Sequence, residues 1–347
     1  MGETSKDSAS AGAEPVVAAS EAGGRSAGSD AIVPRRRLGA DGPQVPLLSL
    51  GSWHTYDRMD FHDAVDLVTQ AVEWGVNLFD VAVYGIPGQR PVFTDVLFSA
   101  IVRAAGLART DYQLSTKIWL EGYPAQSLRE QVERAMFRAG TDHADLAILG
   151  DIRDPDLDLA RLAGDLAELE KSGLIGHWGV NNWSATAIRT IGGHALAAGS
   201  PGPQVAQLKY SPCRRSIADG APFAELFAAG LSLQASDVLE GGILAGRVAP
   251  AREIGRDPGG VRERIIASAP GIAEVAADLG ATAAQVCVAF ALSHPATASV
   301  LFGATKVSQL ADNIGGLRLL ERVGATALRA RLVPFYADRE VVSPEGP

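Results

Sequence analysis

The chain has 347 residues, 47% of them hydrophobic and 20% charged, with a formal net charge of −9 and a pI near 5.2. That length suits two ordinary domains or one large barrel, and the composition supplies a substantial core. An acidic balance without a basic stripe argues against nucleic acid as a main partner, and no apolar run approaches the length of a membrane span.

Residues 1–33 are rich in Ala, Gly, Ser and Glu, without apolar periodicity and without the charged-then-apolar layout of a secretory signal. They read as a disordered extension. Arg35-Arg36-Arg37, the one basic run, reads as a solvated strand edge. From residue 34 to 335, short apolar runs alternate with amphipathic stretches. Strands are expected at 47–51, 76–79, 112–116, 146–149, 175–180, 205–208, 231–235 and 299–302. Helical spacing follows them, for example at 61–74, 127–138, 158–171 and 307–319. Eight such units fit an α/β fold of the (β/α)8 TIM-barrel type. A doubly wound open sheet shares the alternation, but Gly51-Ser52-Trp53-His54 after the first strand is no dinucleotide fingerprint. Residues 336–347, ending Ser-Pro-Glu-Gly-Pro, read as a loose tail. Cys213 and Cys287 lie far apart in no metal-like spacing, so no metal site and a reducing, cytoplasmic setting are expected.

In such a barrel, chemistry sits at the C-terminal strand ends. Asp80 and Tyr84, in Phe79-Asp80-Val81-Ala82-Val83-Tyr84-Gly85, follow the second strand, and Lys117, in Ser115-Thr116-Lys117, ends the third. A carboxylate, a phenol and an ammonium converging there can lower a phenol pKa and make it a proton donor near neutral pH. Gly150 ends the fourth strand, Asn181 and Asn182 the fifth, and Tyr210 the sixth. His54 follows the first strand beside Trp53, and Trp53, Tyr56, Trp119 and Tyr123 are candidate aromatic walls for a substrate.

The blocks Gly75-Val76-Asn77-Leu78-Phe79-Asp80, Ser115-Thr116-Lys117-Ile118-Trp119, Trp178-Gly179-Val180-Asn181-Asn182-Trp183-Ser184, Gln207-Leu208-Lys209-Tyr210-Ser211 and Phe302-Gly303-Ala304-Thr305-Lys306 through Asp312-Asn313 occur in a fixed order. In this the chain resembles the aldo-keto reductases, and most of all their potassium-channel β-subunit-like branch. The resemblance implies NADPH lying across the barrel mouth. It implies that Asn181, Asn182 and Gln207 hold the carboxamide and that Tyr210 stacks on the nicotinamide. Gly303, Ala304, Thr305 and Lys306 would take the 2′-phosphate at a helix start, with Gln309, Asp312 and Asn313 at the adenosine end. Tyr84 would be the proton donor, Lys117 would stabilise its phenolate, and Asp80 would hold the lysine.

Two departures stand out. The interval from Asp80 to Tyr84 is one residue shorter than the family's usual one, and Gly150 stands where the family usually has a histidine. The glycine leaves space for a bulkier substrate or a water, with Asp151 the nearest replacement acid. In addition, Ala235-Ser236-Asp237-Val238-Leu239 replaces a Tyr-Ser-Pro-Leu-like segment near the cofactor pyrophosphate. The expected function is an NADPH-dependent oxidoreductase reducing a carbonyl or an imine of a small molecule, with specialised metabolism as one setting and with altered proton delivery. Two alternatives stay open: a catalytically weakened cofactor-binding sensor or scaffold, and a redox-neutral lyase, isomerase or cyclase. The expected partner is a small-molecule substrate, not nucleic acid or membrane, with oligomerisation left open.

Overall fold

The computed structural model describes residues 33–85, 90–247 and 257–347, so most of the expected N-terminal extension lies outside the described residues. The first described strands, β1 (Arg35–Arg37) and β2 (Gln44–Pro46), form an antiparallel hairpin, and β1 is the exposed edge its three arginines suggested. Then follow β3 (Leu48–Gly51), α1 (Phe61–Glu73), β4 (Leu78–Val81), β5 (Val83–Tyr84), β6 (Val92–Phe93), α2 (Thr94–Ala104), β7 (Gln113–Ile118) and α3 (Leu128–Ala139). The middle of the chain gives β8 (Ala144–Leu149), α4 (Leu159–Lys171), β9 (Ile175–Asn181), α5 (Ala185–Ala197), β10 (Val205–Lys209), α6 (Ala221–Ala228) and β11 (Ser232–Ser236). Last come α7 (Val261–Asp278), α8 (Ala283–Leu292), β12 (Thr297–Phe302), α9 (Val307–Val323) and α10 (Ala325–Leu332). The strands β3, β4 and β7 to β12 pair in parallel and close into a barrel, β12 returning to β3. This is the expected (β/α)8 architecture.

Local chemistry sets the helix starts. The carboxylates of Asp60 and Asp158 and the hydroxyls of Ser127 and Ser184 accept first-turn N–H groups of α1, α4, α3 and α5, satisfying donors that have no partner inside a helix. Helix α1 then buries Ala64, Leu67, Val68 and Ala71 at helical spacing against the barrel. Strands β4 and β7 run two residues beyond their expected ends, through Asp80 and Lys117. A charge inside a strand usually signals its end; here both side chains point into the barrel, where each finds the other.

Two apolar layers result. A large one lies between strands and helices. A small one, Leu38, Val45, Leu78, Leu146, Ile148, Val205 and Ala298, fills the lower barrel interior against the β1–β2 hairpin. Among the described residues, no single helix is long and apolar enough to cross a membrane.

The expected loose tail at 336–347 is packed instead. Ala337 N–H donates to Cys213 O at 2.9 Å, and the Asp338 carboxylate accepts the N–H groups of Arg215 and Ser216 at 3.0 and 3.3 Å. Glu345 accepts from Ala185 and Thr186 at the first turn of α5. Its composition resembles a linker, but it supplies acceptors to donors that a helix start leaves free.

Candidate active site

The centre of the mouth is a buried polar cluster. Lys117 Nζ donates to Asp80 Oδ2 at 2.9 Å and to Gln207 Oε1 at 2.7 Å. Gln207 Nε2 donates in turn to Asp80 Oδ2 at 2.9 Å and to Gln234 Oε1 at 2.8 Å. Gln234 continues to Ser49, which Ser299 also contacts at 3.1 Å. The Lys117 and Asp80 side chains are 6% and 1% exposed. The structure joins Asp80 to Lys117, as the resemblance implied, and adds Gln207, which the resemblance had assigned to the carboxamide and whose amide atoms are both engaged here. Gln234 and Ser49 were missed. Gln234 lies level with Gln207 across β10–β11, so strand parity was the available signal.

Tyr84 sits at the edge of this cluster. The short interval after Asp80 does not bulge: Val83–Tyr84 pairs with Val92–Phe93 in a small antiparallel sheet, and Thr94 Oγ1 binds both N–H and C=O of Ala82. The Ser52 hydroxyl is 2.7 Å from that of Thr94. The Tyr84 hydroxyl makes no hydrogen bond to Lys117 among the described residues. Burial and then the Asp80 charge push the phenol well above its ordinary value, against a smaller lowering by a hydrogen bond from Ser52. The expected lowering by Lys117 is therefore corrected. The ammonium is committed to Asp80 and Gln207, and the charges of Asp80 and Asp95 both raise the phenol.

Gly150 differs from expectation too. A Cβ built there lies 2.7 Å from Trp119 Cε3 and 3.2 Å from Cζ3. The space is not open to substrate or water; the Trp119 indole fills it. Trp119 is held by its Nε1–H on Val83 O at 2.9 Å, and its ring stands edge-to-face to Tyr84 at 6.1 Å. Trp53, 36% exposed, lies 6.2 Å from Tyr84 on the other side. Trp53 also contacts the His54 ring at 5.0 Å, and His54 Nδ1 receives Arg58 at 2.9 Å. Tyr56 packs on Phe98 in the core, and Tyr123 donates to Asp165 at 2.9 Å. The aromatic wall is therefore Trp53, Tyr84 and Trp119. Asp151, the replacement acid, accepts Asn181 Nδ2 at 2.7 Å, an acceptor position that orients Asn181.

Of the residues expected to hold a cofactor, Tyr210 is misplaced. It is fully buried, donates to Asp219 at 2.8 Å and receives Arg329 at 2.6 Å, with its ring on Phe290 at 5.1 Å. Strand alternation explains this: Gln207 points inward, so a residue three positions later points out. Asp312 is a second correction. Its carboxylate is taken up by Thr282 and Gln285 at the start of α8. Gln309 folds back to accept Thr305 N–H at 2.8 Å, and Asn313 is buried. Asn182 adopts φ of 53°, its N–H on Gln207 O.

Two features near the mouth suit an anion. Helix α9 opens at Lys306 with no side-chain cap and no acidic residue in its first turn, and Lys306 is exposed without an ion pair among the described residues. A Cβ at Gly303 would approach Thr55 Oγ1 to 3.2 Å, so the backbone there is open only because it lacks a side chain. An uncapped helix start with an adjacent ammonium suits an anion by its electrostatics. The residues fit the anionic end of a nucleotide. At the other end, the amides of Asn181 and Asn182 remain. Beside the mouth, Glu240, fully buried with φ of 48°, binds Arg214 Nε through both carboxylate oxygens.

A sequence model of the Aldo/keto reductase family matches residues 47–321. A "probable voltage-gated potassium channel subunit beta" of Arabidopsis thaliana is 26% identical over 80% of this chain and 89% of its own. Its Oryza sativa subsp. japonica counterpart is 25% identical over 82% and 91%. A Schizosaccharomyces pombe protein with a provisional name of the same kind is 23% identical over 86% and 92%. With the barrel, the Asp80–Lys117 pair and a family match over most of its length, the chain belongs to the aldo/keto reductase family and is similar to its potassium-channel β-subunit-like branch.

Proposed function

We propose that this chain is an NADPH-dependent oxidoreductase that reduces a carbonyl or imine carbon of a small molecule in the cytoplasm, with proton delivery altered from the family pattern. The observation carrying this reading is the intact Asp80–Lys117–Gln207 cluster at the floor of the mouth, with the uncapped α9 start and Lys306 at its rim. When bound, NADPH supplies hydride to an acceptor carbon. Lys306 and the α9 N–H groups hold its phosphate, while Asn181 and Asn182 orient its amide. Asp80 fixes the Lys117 ammonium, and Trp53 and Trp119 shield the acceptor from water. Tyr84 keeps its proton at neutral pH, since burial and Asp80 oppose ionisation, so it acts as a reluctant hydrogen-bond donor. No nucleic acid or membrane takes part.

The test is titration of the protein with NADPH and NADH, read by Trp fluorescence. Tight binding selective for NADPH supports the assignment; binding of neither nucleotide overturns it. A sensor or scaffold role is the second reading, favoured by the missing Tyr84–Lys117 hydrogen bond and by the names of the relatives. Under it, NADPH binds but no carbonyl or imine is turned over.

A further inference from the structure

The reductase reading leaves the acceptor's chemistry open, and three observations at the mouth bear on it. First, the position where the family usually has a histidine supplies no proton donor. Position 150 carries no side chain, its volume is taken by Trp119, and the Asp151 oxygen that faces Asn181 is an engaged acceptor. Second, three aromatic rings meet at one rim, with Trp53 and Trp119 at 6.2 and 6.1 Å from Tyr84. Indole faces attract cations more strongly than other side-chain rings do. Third, acidic residues are concentrated in a loop at the C-terminal end of the strands, where the mouth lies. The loop from β8 to α4 carries Asp151, Asp154, Asp156 and Asp158 against Arg153 alone, and Arg153 is paired with Glu121 at 2.9 Å. Lys117 is paired with Asp80 at 2.9 Å, and Arg58 is shared between His54 at 2.9 Å and Asp57 at 3.9 Å. Beneath the rings, Asp80 is 1% exposed and its Oδ1 has no hydrogen-bond partner among the described residues.

We propose that the Trp53–Tyr84–Trp119 wall receives a planar cationic nitrogen centre, and that the acceptor this site reduces is an iminium ion. The inference rests on the reductase reading. The balance is simple: the iminium carbon accepts a hydride from a dihydronicotinamide, the C=N π pair moves onto nitrogen, and the products are a neutral amine and an oxidised nicotinamide. No proton is taken up at the carbon or the nitrogen. A site that lacks the family's histidine and keeps its tyrosine away from the lysine therefore loses nothing this substrate needs. A neutral ketone, by contrast, ends as an alkoxide that must be protonated.

The test compares N-methyl-3,4-dihydroisoquinolinium, a permanent iminium, with α-tetralone, a neutral ketone of similar size. Calorimetry measures the binding of each, and NADPH absorbance measures reduction. The parent protein should bind the iminium about tenfold or more tightly than the ketone, the scale set by a desolvated cation–π contact. Trp119→Leu should lose most of that preference, and Trp119→Phe, which keeps a π face, should retain much of it. If Trp119→Leu does not fold, the partly exposed Trp53→Leu gives the same comparison. Equal affinity for both ligands, or equal weakening of both by the Leu variants, overturns the proposal even if NADPH binds. Selective cation binding without NADPH binding overturns the reductase reading and leaves the ligand class of the wall supported.

Discussion

The fit of Trp119 over Gly150 yields a sharp prediction for Gly150→Ala. Gly150 has no left-handed backbone torsion, so the added methyl acts by volume alone. At 2.7 Å from Trp119 Cε3, it overlaps the indole by about 1 Å relative to ordinary carbon contact near 3.5–4.0 Å. The indole cannot slide away freely, because its Nε1–H is tied to Val83 O at 2.9 Å. Overpacking costs about 1–3 kcal/mol, and losing that hydrogen bond adds about 1 kcal/mol, so Gly150→Ala should destabilise by roughly 2–4 kcal/mol. Urea melts followed by circular dichroism measure it. Trp119→Phe should relieve the clash, giving a favourable coupling of at least about 1 kcal/mol in the double-mutant cycle. For the same reason Gly150→His should lower stability without restoring ketone reduction. If Gly150→Ala stays within about 0.5 kcal/mol of the parent, or if the cycle shows no coupling, Trp119 does not fill that space.

Asp80→Ala strands the Lys117 ammonium, whose side chain is only 6% exposed. It should cost about 3–5 kcal/mol, seen as a lower urea midpoint; a near-neutral effect would show that water reaches the pair. Lys306→Ala should weaken NADPH about tenfold or more, the scale of one charge-assisted hydrogen bond, while leaving NADH unchanged. Equal losses for both nucleotides would place the 2′-phosphate elsewhere. Burial raises the phenols of Tyr56, Tyr84 and Tyr210 above the ordinary value. An unfolded chain ionises its phenols near pH 10 while the folded one holds their protons. Stability from these groups is thus complete below about pH 10 and falls above it by about 1.4 kcal/mol per pH unit for each phenol. Denaturant midpoints and tyrosinate absorbance followed together should show these phenols ionising only as the protein unfolds; ionisation in the folded state would refute their burial.

What could be read in advance followed from short-range rules. Apolar alternation placed the eight barrel strands, and helical spacing placed α1, α3, α4 and α9. Asp80 and Lys117 were legible as a pair. Tyr210 was readable in principle, since parity with Gln207 turns it outward, but a motif match overrode the count. Asp312 needed its helical face, which depends on α8. The meeting of Trp119 and Gly150 was out of reach: it requires the β7–β8 register, Ile118 beside Leu149, and the depth to which an indole inserts. The C-terminal segment was misread because composition reports flexibility of an isolated chain and not the acceptors a distant helix lacks.

The apolar plug that packs against the β1–β2 hairpin gives the barrel a stopper. A vessel closed below has one doorway. Anything that reaches the buried Asp80–Lys117 pair therefore enters and leaves by the mouth.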